Sequence, residues 1–382
     1  MAAPLRPTTL EVDLDAAADN LRAVRRLVGP SRSIFAVVKA DGYGFGAAEM
    51  GAVFARSGAD WLAVADLSEG VRLRQRGITT PILVYPNSLP GAAADTIAHR
   101  LVPTLVDLES ARAYSQAASD PCEVFVKVDV GLERLGVPAE QAVKTILAML
   151  ELPHLTLGGL CAHPHAEVGG DPAYADWQTG RFTGVVDELE ARGVRVPVRL
   201  LAASPFVLRF PHTYLNAVDP GRMLYGITFP GETPPATLRP VLRALATRVI
   251  AVKELTPRAR FAEQEPFPVA GPMRLGVVPM GSADGLRWLH AGRVLVRGRA
   301  VPLIGAPSLE HTRIDLTTVP DAAVGDEVVI IGRQGDLEIS PAEVAAHHGL
   351  GLHHVATTVG PRVTRVYRGG QVLHSDILPE ST

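Results

Sequence analysis

Residues 34–46 read IFAVVKADGYGFG: five apolar residues, mostly β-branched or aromatic, run into a lysine and then into a glycine-rich turn. A run that short is strand-sized, and the following GAAEMGAVFARSG repeats its apolar positions every three or four residues, the helical period. The same couplet recurs outward along the chain. WLAVA (61–65), PILVY (81–85), TLV (104–106), VFVKV (124–128), LGGLC (157–161), VRLLA (198–202) and the run into Val218 are the further strand-like stretches. Amphipathic segments such as LSEGVRLRQRG, LESARAYSQAAS, EQAVKTILAML and FTGVVDELEARG separate them. Eight short buried strands, each joined to a helix, predict an α/β fold, a (β/α)8 barrel over residues 11–235. A doubly wound open sheet is the competing arrangement.

The texture changes after the Pro-rich GETPPATLRP (231–240). RVIAVKEL, RLGVVPMG, RVLVRGRAVPLIG, RIDLTTV and DEVVIIG are strand-like, with turn signals and few helices between them. They predict an all-β domain over residues 236–382, against which the first ten residues pack. No internal repeat or low-complexity tract is present.

A hydrophobic fraction of 47% with 20% charged residues suits a compact protein with a large core. A net charge of −3 gives no reason to expect nucleic acid or an anionic membrane as partner. No apolar stretch approaches the roughly 18 residues of a membrane span, and the N-terminus has no signal-peptide pattern. Two cysteines, Cys122 and Cys161, make no disulfide framework, and a reducing cytoplasm is the expected setting. Without a CxxC pair or an HExxH, no metal site is expected.

Barrel enzymes carry their reactive groups at the C-terminal ends of strands. Here those are Lys39, Asp66, Lys127 with Asp129, His163, Ser204 and Asp219. Position alone leaves Lys39 two readings. It is a lysine snorkelling at a strand end, or a partly desolvated amine of lowered pKa that forms an imine with an aldehyde.

VVKADGYGFG (37–46), KVDVGLERLG (127–136), GLCAHPHAE (159–167), PGRMLYG (220–226), VVPMGSADG (277–285), GDEVVIIG (325–332) and GPRVTRVY (360–367) resemble, in order and spacing, the motifs of the alanine racemase family. These are fold type III pyridoxal-phosphate enzymes built as a barrel followed by a β domain. The resemblance covers nearly the whole chain and implies pyridoxal 5'-phosphate as cofactor, an amino acid as substrate and a homodimer with shared active sites. It makes Lys39 the Schiff-base lysine. Tyr43 and Ser204 would bind the phosphate with backbone N–H groups near Gly221 and Arg222. Arg134 would approach the phenolic oxygen, and His163 would lie beside the ring. The alternatives are an interior structural histidine and a surface loop arginine. Lys127 matches a lysine that is carbamylated in some members and a structural cation in others.

The departures are informative. Where racemases place an arginine at the pyridine nitrogen, within VRPG, this chain has VDPG and Asp219. A carboxylate there favours the protonated ring and strengthens it as an electron sink; alternatively the loop shifts and Arg222 takes the contact. Racemases also draw a tyrosine base from the partner subunit, and an ungapped alignment puts Glu263 at its place. That residue is either a second base or a solvent-facing side chain of a remodelled loop. Ser282 replaces a tyrosine, Ser308-Leu309-Glu310 replaces an SMD turn, and His353 stands for a late phosphate-contacting tyrosine. Together these changes predict a racemase or epimerase of an amino acid other than alanine. The alternatives are a lyase exploiting the Asp219 sink and a homologue that binds cofactor without turnover.

Overall fold

The computed structural model describes residues 6–165, 170–229, 232, 238–257, 267–287 and 289–370. It divides into two compact units, Asp15–Arg239 and a second formed by the chain through Leu14 together with Pro240–Gly369. The division between the units falls at Leu14/Asp15 and Arg239/Pro240. The reason is a strand, Thr9–Asp13, that pairs antiparallel with Leu242–Arg248 and parallel with Thr364–Arg368.

In the first unit the eight anticipated strands form: Ser33–Val37, Trp61–Val64, Ile82–Val84, Val102–Leu105, Cys122–Asp129, Leu155–Cys161, Val198–Ala203 and Ala217–Asp219. Every neighbouring pair is parallel, and Val218 pairs with Ile34 to close the ring. Closure excludes the open sheet. Phe35, Val37, Ala63, Leu83, Phe125, Cys161, Leu200 and Ala217 fill the interior. Phe35 stacks on Trp61 at 5.0 Å and meets Phe125 edge-on at 5.9 Å, so one end of the barrel is plugged by rings. The helices close the outside. In Leu14–Val28, residues Ala17, Leu21, Val24 and Val28 are spaced by four, three and four and are at most 1% exposed. Each of the larger ones contributes roughly 1.5–3 kcal/mol of burial.

The second unit is a mostly antiparallel sheet. Its strand order runs Ala251–Leu255, Met273–Val278, Thr312–Asp315, Arg299–Ile304, Arg293–Val296, Glu327–Gln334, Leu242–Arg248, Thr9–Asp13, Thr364–Arg368. Arg297 and Gly298, both at positive φ, turn the Arg293–Ile304 hairpin. The unit is not purely β: Pro341–His348 and Leu352–Thr357 are helical. Ser340 caps the first of these by accepting the Glu343 amide at 3.0 Å, with proline at the first helical position. That cap was written in SPAE, but a helix this short lacks the apolar period that announces the longer ones. Arg6 reaches the fully buried Asp284 at 2.8 Å, tying the N-terminal segment to this unit.

Candidate active site

The strand ends of the barrel bring the sequence candidates together. Lys39 follows the first strand and is half-buried, its Nζ 5.7 Å from the centroid of the Tyr85 ring. Loss of hydration lowers its pKa; Asp219 opposes this, while Arg134 and Lys127 reinforce it. After Lys39 the backbone turns left-handed, with φ of 54°, 53°, 60° and 57° at Ala40, Asp41, Gly42 and Tyr43. Each non-glycine residue in that conformation costs roughly 1–2 kcal/mol, which surrounding bonds must hold. Gly42 N–H donates to Val38 O, Gly44 N–H to Ala40 O and Gly46 N–H to Asp41 O. Lys39 is thus set by the turn rather than by the strand.

Asp219 ends the last barrel strand and is 5% exposed. Tyr85 Oη donates to its Oδ2 at 2.7 Å, while Oδ1 has no hydrogen-bond partner among the described residues. Burial pushes the carboxyl up to about 6, with the Tyr85 hydrogen bond, Lys39 and Lys127 pulling the other way. A buried polar oxygen left unpaired costs roughly 1–3 kcal/mol, so the site is built for a donor it lacks. Arg222 is committed elsewhere: it pairs with Glu232 (7% and 1% exposed as residue and side chain), donates to Ile227 O and lies over the Phe229 ring at 4.3 Å. With Arg222 so engaged, Asp219 is the side chain that offers an acceptor here.

Beside them, Ser204 opens the helix Ser204–Arg209 and accepts the Gly221 amide at 2.9 Å. Gly221 also faces Tyr43, whose Oη would lie 2.3 Å from a Cβ added there. Burial raises Tyr43 to about 12, so its hydroxyl stays a donor. Hydroxyls and backbone N–H groups around a bare glycine are the donor set a phosphate needs. His163 is pushed down to about 3 by burial, aided by Lys39, Lys127 and Arg134, and is a neutral imidazole. Lys127 is buried among these groups. Arg134 is exposed, on a loop gathered by Asp129, whose carboxyl accepts the amides of Gly131, Leu132, Glu133 and Arg134.

Two strand-end candidates prove to be scaffolding: Asp129, as above, and Asp66, which caps Leu67–Gln75 by accepting the Glu69 amide. Tyr85 was missed. Its signal was its place at the end of PILVY, the same strand-end rule that flagged the others.

In the second unit, Ser282 and Leu309 share a zipped pair of loops: Ser282 N–H donates to Ser308 O and Ala283 N–H to Leu309 O, both at 2.9 Å. Leu309 is 70% exposed, and Glu310 pairs with Arg362 at 2.6 Å. His353 lies on Leu352–Thr357 with its ring 4.0 Å from that of His354. Glu263 lies outside the described residues. Among those described, no group of His, Cys, Asp and Glu could hold a metal, and no helix is long and apolar enough to cross a membrane.

Residues 12–229 match the family described as "Alanine racemase, N-terminal domain", and residues 242–367 match "Alanine racemase, C-terminal domain". The chain is 36% identical to the alanine racemase of Desulfovibrio desulfuricans, covering 95% of this chain and 98% of that one. It is 38% identical to that of Desulfosudis oleivorans, covering 94% and 96%. Among solved structures, alanine racemase from Bacillus anthracis with bound L-Ala-P superposes with a TM-score of 0.88 at 30% identity, covering 97% of both chains. That from Streptomyces coelicolor gives 0.84 at 29%, covering 95% and 98%. This family works with pyridoxal 5'-phosphate, and the barrel's residues fit it. Asp219 Oδ1 lacks the donor that a protonated ring nitrogen would bring, and the space a Cβ would fill at Gly221 lies against Tyr43 and Ser204. Two domain matches spanning the chain, near-complete relatives and a fitting cofactor site lead to one conclusion: this chain belongs to the alanine racemase family of pyridoxal-phosphate enzymes.

Proposed function

We propose that the protein acts at the α-carbon of an amino acid as a racemase or epimerase whose substrate is not alanine. The observation that carries this reading is the buried Asp219 with one oxygen unpaired, where the family's racemases place an arginine. Ser282 in place of a tyrosine supports a larger or more polar substrate. When bound, pyridoxal phosphate withdraws electron density from the α-carbon, which makes its proton removable.

The chain's own groups divide the remaining work. Lys39 anchors the cofactor and, with its pKa lowered by burial, takes up and returns a proton on one face of the α-carbon. Asp219 holds the ring nitrogen's proton, its charge steadied by the Tyr85 hydroxyl. Tyr43 and Ser204 would bind the phosphate with backbone N–H groups near Gly221 and Arg222, Arg134 would serve the phenolic oxygen, and neutral His163 would lie beside the ring. Glu263 is proposed as the proton carrier on the second face. Ser282, Leu309, Glu310 and His353 would line the substrate side, in a homodimer with shared active sites. Turnover by a monomer at nanomolar concentration would overturn the dimer.

Incubating the holoprotein with an amino-acid panel in D2O, followed by NMR and chiral chromatography, tests the reaction. Deuterium at Cα with inversion in a non-alanine amino acid is the expected result. Alanine as the fastest substrate would sink the substrate reading. Release of CO2 or a side-chain fragment would favour a lyase, for which the Asp219 sink is the supporting feature. No exchange with any substrate would point to a homologue that binds the cofactor without turnover.

Gly221 gives a second test. Gly221→Ala pushes a methyl group into the Tyr43 hydroxyl, removing a phosphate donor. Cofactor affinity should fall ~10–100-fold, the worth of one charge-assisted hydrogen bond. Titration of the cofactor-free protein with pyridoxal phosphate measures it, and unchanged affinity would remove Tyr43 and Gly221 from the phosphate site.

A further inference from the structure

Glu69 is buried, 6% exposed, in the first turn of Leu67–Gln75, a place where a glutamate ordinarily faces water. Asp66 already caps that helix. A glutamate at the third position of a capped helix commonly reaches back to the amide of the cap residue. Glu69 instead accepts the amide of Ala65, one residue earlier, at 2.8 Å with Oε2. Its other oxygen, Oε1, crosses to accept the amide of Asp41 at 3.2 Å. One buried carboxyl group therefore bridges the end of the Trp61–Val64 strand and the middle of the left-handed turn after Lys39.

That turn carries Lys39 at its start and Tyr43 at its end, and three of its non-glycine residues sit in a conformation they do not favour alone. A turn of this kind keeps its shape only if its amides are answered from outside as well as from within. Asp41 Oδ1 accepts the Ala47 amide at 2.9 Å and fixes the far side; Glu69 fixes the near side. We propose that Glu69 is a positioning residue, whose two-oxygen bridge aims the cofactor lysine by clamping its turn to the neighbouring barrel strand. The inference rests on the reading of Lys39 as the lysine that binds the cofactor.

Two variants test it. Glu69→Gln keeps the volume but turns one acceptor into a donor, while Glu69→Asp keeps both oxygens on a stem too short to reach both amides. In the cofactor-free protein, hydrogen exchange of a peptide spanning residues 39–46 should accelerate by at least ~10-fold in each, as expected for loss of one hydrogen bond. Peptides of the second unit should not change. Timed borohydride trapping of added pyridoxal phosphate should show attachment to Lys39 slowed by a similar factor. In the loaded enzyme kcat should fall with KM little altered. A folded variant of either kind with native exchange and native trapping overturns the proposal. Loss of the folded barrel in both variants also overturns it, placing Glu69 in folding rather than positioning. Fixation of cofactor on another lysine in the unaltered protein would instead remove the underlying reading of Lys39, whatever the exchange data show.

Discussion

Asp219→Asn is expected to lower turnover by roughly two to four powers of ten, if the lost charge is worth ~3–5 kcal/mol in the transition state. The amide keeps the size and can still accept from the Tyr85 hydroxyl at Oδ2's place. It cannot hold a protonated ring nitrogen with a full negative charge, so the electron sink weakens. The same change should stabilise the cofactor-free protein at neutral pH. In the folded chain the Asp219 carboxyl titrates at about 6 against an ordinary 3.8, so the folded state binds more protons between those values. Stability therefore falls as pH rises through that window, by about 3 kcal/mol at 1.36 kcal/mol per unit, and stays lower above it. His163 works oppositely: held at about 3, it contributes stability that is lost as pH falls below the ordinary 6.5. The two trends offset each other in the wild-type curve, so the difference between variant and wild type isolates Asp219. Melting temperatures of both cofactor-free proteins from pH 4 to 8 measure it. A variant with unchanged turnover, or one no more stable at pH 7 than at pH 4 relative to wild type, would show that Asp219 is not a buried charge facing the ring.

Lys39→Ala should remove covalent cofactor attachment altogether and abolish measurable turnover. The loss of the positioned proton carrier alone costs ~10²–10⁴-fold, and loss of the anchor adds to it. Tyr43, Ser204 and Gly221 are untouched, so the variant should still take up pyridoxal phosphate non-covalently. Borohydride treatment followed by peptide mass mapping should find the cofactor on Lys39 in wild type and nowhere in the variant. Labelling of Lys127, the neighbouring buried lysine, would reassign the site.

The barrel was legible because its strands are buried on both faces. Each leaves an unbroken apolar run, and the structure places each strand within a few residues of where its run predicts. The short helices Pro341–His348 and Leu352–Thr357 were not, since too few turns exist to show a period. The site was half legible. Lys39, Asp219, Ser204 and His163 stand at strand ends, where the fold itself says reactive groups belong. Tyr85 and Glu69 act on residues 134 and 28 positions away, Asp219 and Asp41, and nothing in their own segments announces those partners.

What the sequence determines by itself is therefore local: the period of each element, the order of the motifs, and the replacement of an arginine by Asp219. Those follow from chain-neighbour sterics and from the burial of apolar side chains, which a linear pattern records. Tertiary structure alone decided that Thr9–Asp13 forms a strand between Leu242–Arg248 and Thr364–Arg368, that Glu232 occupies Arg222, and that one oxygen of the Asp219 carboxyl goes unanswered among the described residues. Each depends on which polar groups meet across the fold once water is excluded, and that pairing is a property of three-dimensional proximity rather than of spacing along the chain.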